Sequence, residues 1–322
     1  MTTYTLSPTF NEIAEQAFDV LQVGADGETL TAAMQTRAMD TYNYMVSNWQ
    51  TQGLHLWTYT EGRMYLTKAA RSYDTSVTTT TAKNYARITN APIDDSLSAD
   101  AALGASTVTV TDGTLFTSGD TIGVLQDDNT IHWTTINGAP AGNVVTLTDV
   151  TTAAASSGKW VTAYNDTYAP ISRVHEDGIR RYSGDSNNET PILYQDRPTY
   201  YSLSDKANTT GSPVNVYFSR QETSLGQGHK FEVYQAPDDE QWALNFTYER
   251  QIQLVNTPTT DKLDIPRYWH EAVIYNMANR LKIRFGVKSA EVSAEISALA
   301  QEYLTSALNY DVSVTDIRVR VR

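Results

Sequence analysis

The residues with the clearest capacity for chemistry are five histidines, a few aspartate-rich turns and an alternating arginine run. The dipeptide His270-Glu271 opens a zinc-protease helix motif, but the position one turn later that needs the second histidine is Ile274. His55, His132, His175, His229 and His270 are widely spaced, so no pair has local metal-ligand spacing. Internally bonded or exposed histidines account for them more simply. Asp127-Asp128-Asn129 and Asp112-Gly113 resemble fragments of a calcium loop, yet neither continues to a closing Glu, and hairpin turns explain both better. The segment Gly24 to Thr29 has too few glycines and no Lys-Ser/Thr to cradle a phosphate, and no Gly-x-Ser-x-Gly elbow occurs. A carboxylate pair for glycoside hydrolysis can be drawn from distant segments, but nothing local raises one Glu above the others. The reading is therefore not an enzyme, with no catalytic, metal or cofactor residue assigned and no cofactor expected.

The C-terminal run DIRVRVR differs in kind. In a strand, Arg318, Arg320 and Arg322 would share one side and Ile317, Val319 and Val321 the other. A short charged tail is often unstructured. The strict alternation also suits addition to a partner's sheet edge, with arginines meeting acidic surface or DNA phosphate. These six residues are the candidate partner-binding site.

The elements around these residues follow from caps and periodicity. Ser7 as cap and Pro8 at the first helical position predict a helix in which Phe10, Ile13, Ala14, Ala17, Phe18 and Leu21 share a face. A second helix is expected from about Thr31 to Gln52, with Met34, Ala38, Tyr42, Met45 and Trp49 inward and Gly53 as its C-terminal cap. LHLWTYTEGRMYL reads as two short strands around Glu61-Gly62. Alternation of Trp242, Leu244, Phe246 and Tyr248 predicts a half-buried strand. Pro266 opens a third helix that Gly286 ends, and Ser289 caps a fourth with Val292, Ile296, Leu299, Tyr303 and Ala307 on one face.

Composition bounds the rest. The chain has 322 residues, no cysteine and a formal net charge of -13, so disulfide scaffolds and cysteine-ligated zinc are excluded and tight wrapping of nucleic acid is disfavoured. Between residues 92 and 165 there are eight Asp and a single Lys159, a net charge of -7, in a Thr-, Gly- and Ser-rich stretch of short alternating strands. The opening MTTYTLSPTF lacks the basic and apolar regions of a signal peptide, and no apolar run has the length of a membrane span. The expected fold class is α+β: a helical bundle from both chain ends packed with an antiparallel β-rich region, plus an inserted small all-β module. The expected divisions are a helical/β core of 1–90 and 166–310, an acidic β module of 91–165, and an extended arm of 311–322.

In this order, AAMQTRAMDTYNYMVSNWQTQGLHLW, PTYYSLS with FEVYQAPDDEQWALNFTYER, and LDIPRYWHEAVIYNMANRLKIRFG with the amphipathic helix after it cover most of the chain outside the insert. The arrangement resembles the head-to-tail adaptor proteins (tail accessory, packaged-DNA stabilisation) of short-tailed bacteriophages. The insert, with GDTIGVLQDDNTIHWTTI and NVVTLTDV, is similar to a small β module that some members carry.

That resemblance implies a structural subunit of a ring, usually of twelve copies, joining the portal protein to the tail and forming part of the DNA channel. It implies no catalytic residues. The partners implied are other copies of the chain, the portal, tail nozzle or tail fibre proteins, and DNA that passes without sequence-specific binding. The implied location is the head-tail junction of the virion, after synthesis in the host cytoplasm. The helical ends are expected to form the ring body and the β-rich parts to reach toward the tail. The runner-up reading is a tail-associated binding or host-attachment module, since acidic β domains with exposed aromatics recognise surfaces, and a cell-wall hydrolase stands third.

Overall fold

The computed structural model describes residues 8–23, 29–52, 58–75, 77, 80–166, 168–206, 209–219, 229–287 and 289–311. Five helices occur among them: α1 (Phe10–Leu21), α2 (Ala32–Gln52), α3 (Arg197–Ser202), α4 (His270–Phe285) and α5 (Ala290–Asp311). The chain divides into two compact units, one made of Met1–Tyr59 with Gln251–Arg322 and the other of Thr60–Arg250.

In the first unit, α1 starts two residues later than its proline suggested. Thr9 is the cap: its backbone N–H donates to Glu12 Oε2 at 2.7 Å, and the Glu12 N–H donates to its hydroxyl at 3.4 Å. This reciprocal box satisfies two of the unpaired groups at a helix start, and it needs an acidic residue three positions after the cap. Glu12 stands there for Thr9, whereas Phe10 stands there for Ser7, which lies outside the described residues. The six apolar residues of the expected α1 face are all buried, as are Ala38, Tyr42, Met45 and Trp49 of α2. Gly53 lies outside the described residues. The Ser289 hydroxyl accepts from the Val292 N–H at 3.2 Å at the start of α5.

The expectation of an α+β fold with a helical bundle from both chain ends packed with an antiparallel β-rich region is corrected. Helix and strand each make up 31% of the described residues, most of the strand is antiparallel sheet, and α3 lies mid-chain rather than at an end. Nor do the end helices form two hairpins laid together. α4 packs against α1, α2 and α5, whereas α1 and α2 touch each other only slightly. Its buried residues Ala272, Val273, Ile274, Met277, Ala278 and Leu281 span more than a single stripe, which lets one helix serve several neighbours. Irregular chain also enters this core through Ile252, Val255 and Ile265. The Asn43 side chain holds that segment, accepting from the Val255 N–H at 3.0 Å and donating to the Val255 carbonyl at 2.9 Å. Apolar spacing showed that each helix had a face to bury, but not what would cover it.

The second unit is built from sheets. Five strands run in the order Asn188–Pro191, Arg180–Ser183, Trp242–Arg250, Tyr59–Tyr65 and Arg87–Thr89, and a sixth, Ile171–Val174, also pairs with the long strand. A four-stranded sheet joins Leu193–Tyr194, Asn215–Ser219, Lys230–Tyr234 and Ser72–Asp74. Met64, Ile88, Phe218, Phe231, Leu244, Phe246 and Tyr248 form the core these strands share. The strand at 59–65 runs unbroken through Glu61-Gly62, where two strands were expected. A side chain at Gly62 would begin 3.0 Å from the Tyr248 ring and 3.2 Å from Phe246, so glycine here admits aromatic packing rather than a turn.

Residues 91–165 belong to this unit and contain a sheet of Ile93–Ser96, Trp160–Tyr164, Thr121–Leu125 and Ile131–Thr135, in that order. They carry an apolar core of their own, with Leu97, Val110, Phe116, Ile122, Val124 and Val161 among its members.

Tyr42 is fully buried, yet its hydroxyl has no hydrogen-bond partner among the described residues. Burial, aided by the charge of Asp264, pushes its ionisation far above the usual tyrosine range. An unpaired buried hydroxyl costs about 1–3 kcal/mol. Tyr42→Phe is therefore expected to leave stability unchanged or raise it by up to about 1 kcal/mol in chemical denaturation. A clear loss would show that the hydroxyl is bonded.

Candidate functional site

The residues singled out for metal or catalytic chemistry do not converge. His270 begins α4, where burial lowers its pKa, and Ile274 one turn on is buried. His132 lies in a strand of the acidic insert and contacts the Asp149 carbonyl at 3.2 Å. His175 lies 3.3 Å from Glu249, and the His229 ring packs on Phe218. His55 lies outside the described residues. Among the described residues, no group of three or more His, Cys, Asp or Glu is placed to hold a metal ion.

The aspartates of the insert instead bond to their own backbone and hydroxyls. Asp112 Oδ1 accepts from the Thr114 N–H at 3.0 Å and hydroxyl at 2.6 Å, capping the short 3-10 turn Gly113–Leu115. These bonds hold its pKa below the usual carboxylate range. Asp128 does the same for Thr130, at 3.0 and 2.7 Å, beside Asn129 with φ of 65°. Asp127 holds Ser156, Asp100 the Ser157 N–H, Asp120 the Thr117 N–H, Asp95 the Asp112 N–H and Asp149 the Thr134 hydroxyl. The eighth, Asp94, binds a cation. Seven carboxylates are thus fixed by uncharged donors, which orders the turns without cancelling their charge.

Asp94 belongs to the junction where the insert meets the larger sheet. Arg63, on the strand Tyr59–Tyr65, donates from Nη1 to Asp94 Oδ2 at 2.5 Å and from Nε to Asn245 Oδ1 at 2.8 Å. Its guanidinium lies 3.9 Å from the centre of the Tyr182 ring. Burial alone would lower the Arg63 pKa, but the charge and hydrogen bond of Asp94 outweigh it and the net direction is upward. The other Asp94 oxygen accepts from Trp160 Nε1 at 3.0 Å. Trp160 is fully buried, and a side chain at Gly184 would begin 1.9 Å from its ring, so the indole rests directly on backbone. Tyr65 shares a bond with the Thr162 hydroxyl at 2.7 Å and lies within ring contact of Trp133, Trp160 and Tyr164. Burial raises the pKa of Tyr182 to about 12.

Beside this cluster lies a cleft of about 320 Å³, lined by Tyr65, Tyr85, Arg87, Ile131, Trp133 and Glu240 among others. Its two charged groups are already engaged. Arg87 donates to the Tyr164 hydroxyl at 2.7 Å and covers the Trp133 ring at 4.2 Å. Glu240 accepts from the Ile131 N–H at 2.6 Å and the Lys68 N–H at 3.0 Å, tying an insert strand to the sheet. Burial raises the Glu240 pKa, partly offset by those two donors. The arrangement orients one β module on another.

The sequence did not point to Arg63, Asp94, Trp160 or Glu240, because the partners lie 31 to 182 positions apart. The candidate partner-binding residues Ile317, Arg318, Val319, Arg320, Val321 and Arg322 lie outside the described residues. No helix among the described residues is long and apolar enough to cross a membrane. No protein-family model matches the chain, and no curated protein matches it in sequence.

Asp94→Ala strands a cation that is only 9% exposed. Breaking a fully buried pair costs about 3–5 kcal/mol, and the 29% exposure of Asp94 reduces this to about 2 kcal/mol. The loss should appear in denaturation together with a changed tryptophan emission from Trp160. Unaltered stability and emission would mean that the pair does not hold the junction.

Proposed function

We propose that the chain is a structural subunit of a head-to-tail adaptor ring in a short-tailed bacteriophage. In this reading it joins the portal to the tail at the head-tail junction of the virion and forms part of the DNA channel. Its partners are other copies of itself, the portal, and tail nozzle or tail fibre proteins. The reading assigns it no catalysis.

The observation that carries the proposal is the state of the insert's charge. Seven of its eight aspartates are bonded to neutral donors, so the module keeps a negative field that a cation-paired cluster would lose. A conduit wall with the sign of DNA phosphate lets the duplex pass without counterion-release binding. The order of the quoted sequence stretches supports the same reading. A host-attachment module gains less support, because Trp160 is buried and Trp133 is partly buried against Tyr65 and Arg87 rather than displayed for a ligand.

Electron microscopy of the purified protein mixed with its portal should reveal closed rings with twelve-fold symmetry. Monomers that ignore the portal would overturn the proposal. The protein alone should also fail to retard duplex DNA in a gel at low salt, where electrostatic binding is strongest. Retardation there would contradict the passive-conduit reading.

A further inference from the structure

The antiparallel pair α4 and α5 carries two unlike surface patches. At one end, aromatic rings pair in register across the helices: Tyr275 with Tyr303 at 4.9 Å and Tyr268 with Tyr310 at 4.5 Å between centres. Tyr275 lies on α4, Tyr303 and Tyr310 on α5, and Tyr268 in the 3-10 turn Arg267–Trp269 that leads into α4, so the two pairs follow one another along the helix pair. Tyr310 is 72% exposed. Glu271 and Glu302 are exposed beside these rings, and the charge of Glu271 is the foremost cause raising the Tyr303 pKa.

Toward the other end of α4, Arg280, Ile283 and Arg284 are exposed on adjoining turns, and Ile283 is 88% exposed. Among the described residues, neither arginine nor either glutamate has an ion-pair partner. Nine residues separate Glu271 from Arg280. At about 100° and 1.5 Å per residue, they point to opposite sides of α4, about 14 Å apart along its axis.

We propose that these two patches bind each other between copies of the chain, the tyrosine–glutamate patch of one copy receiving Arg280, Ile283 and Arg284 of the next. The chemistry is complementary. Guanidinium groups favour aromatic faces and carboxylates, and the isoleucine fills the space between rings. Like patches repel, glutamate against glutamate and arginine against arginine, which disfavours either patch meeting its own copy across a two-fold axis, and the opposed directions of the two patches on α4 disfavour both unlike contacts forming in one closed dimer. Contact between unlike patches propagates head to tail and closes as a ring where the rotation permits. The inference specifies the self-contact of the adaptor ring and rests on that reading for ring closure alone.

The absence of native cysteine gives a direct test with the full chain. Tyr310→Cys and Ile283→Cys are made separately and mildly oxidised, alone and mixed. The mixture should form a cross-linked dimer and each variant alone should not. In sedimentation, R280E with R284E should weaken self-association about tenfold or more, and a partner chain carrying E271R with E302R should restore it. The inference is overturned if either cysteine variant cross-links alone as readily as the mixture, or if charge reversal leaves sedimentation unchanged. Closed rings in micrographs that persist in R280E/R284E would overturn this contact and keep the ring. Cross-linking of the mixture without any closed ring would uphold the contact and sink the ring.

Discussion

The second unit depends on one ion pair between chain segments that sequence keeps apart. Arg63 belongs to the strand Tyr59–Tyr65 of the larger sheet and Asp94 to the first strand of the insert, and each makes further directional contacts. The arginine also binds Asn245 and covers Tyr182, while the aspartate also binds the Trp160 indole. A partly buried pair contributes little net stability against its desolvation, but it is expensive to break and strict in geometry. Its consequence is a fixed orientation. Trp160 can descend onto the backbone at Gly184 only because no side chain occupies that space. The rings of Tyr65, Trp133, Tyr164 and Tyr182 then complete a junction in which each close pair adds about 0.5–1.5 kcal/mol beyond simple burial.

The first unit solves a related problem mainly with apolar surface. Four helices need covering, and α4 supplies it to three neighbours because its buried residues spread around more than half its circumference. Trp49 meets Trp269 at 5.3 Å, Phe18 meets Phe285 at 5.0 Å, and Asn43 pins the irregular segment that completes the core. At the margin of that core Tyr275 and Tyr303 are only partly buried, and Glu271, Glu302, Arg280 and Arg284 on the same helices, α4 and α5, are exposed. On these two helices the exposed apolar surface of Ile283 and Tyr310 gains by being covered, whereas the charged groups are at ease in water.

Charge links these features to function. An aspartate placed in a turn binds the N–H two residues on, so a Thr- and Asp-rich β module stiffens its own loops while accumulating negative charge. Paired with arginines, the same count of carboxylates would give a neutral surface. The distribution found here leaves the module's negative charge uncancelled, the feature on which the proposed conduit role rests.

The sequence alone determined what depends on neighbours within a turn or a strand. The buried face of α1, the cap at Ser289, the inward alternation of Leu244, Phe246 and Tyr248, and the concentration of charge in residues 92–165 were all legible, because helical and strand periods act over a few residues. Near-neighbour rules also misled. Ser7-Pro8 suggested the start of α1, but the reciprocal bond with Glu12 caps the helix at Thr9, and Glu61-Gly62 suggested a turn where glycine makes room for rings. Only the tertiary structure decided what covers each face. It made α4 the shared neighbour in place of a bundle of hairpins, brought Arg63 to Asp94 and Glu240 to Ile131, and divided the chain after Tyr59 and Arg250. The reason is physical: burial and hydrogen bonding reward any partner of suitable shape and charge, so the choice among distant partners is made by the packing of the whole chain.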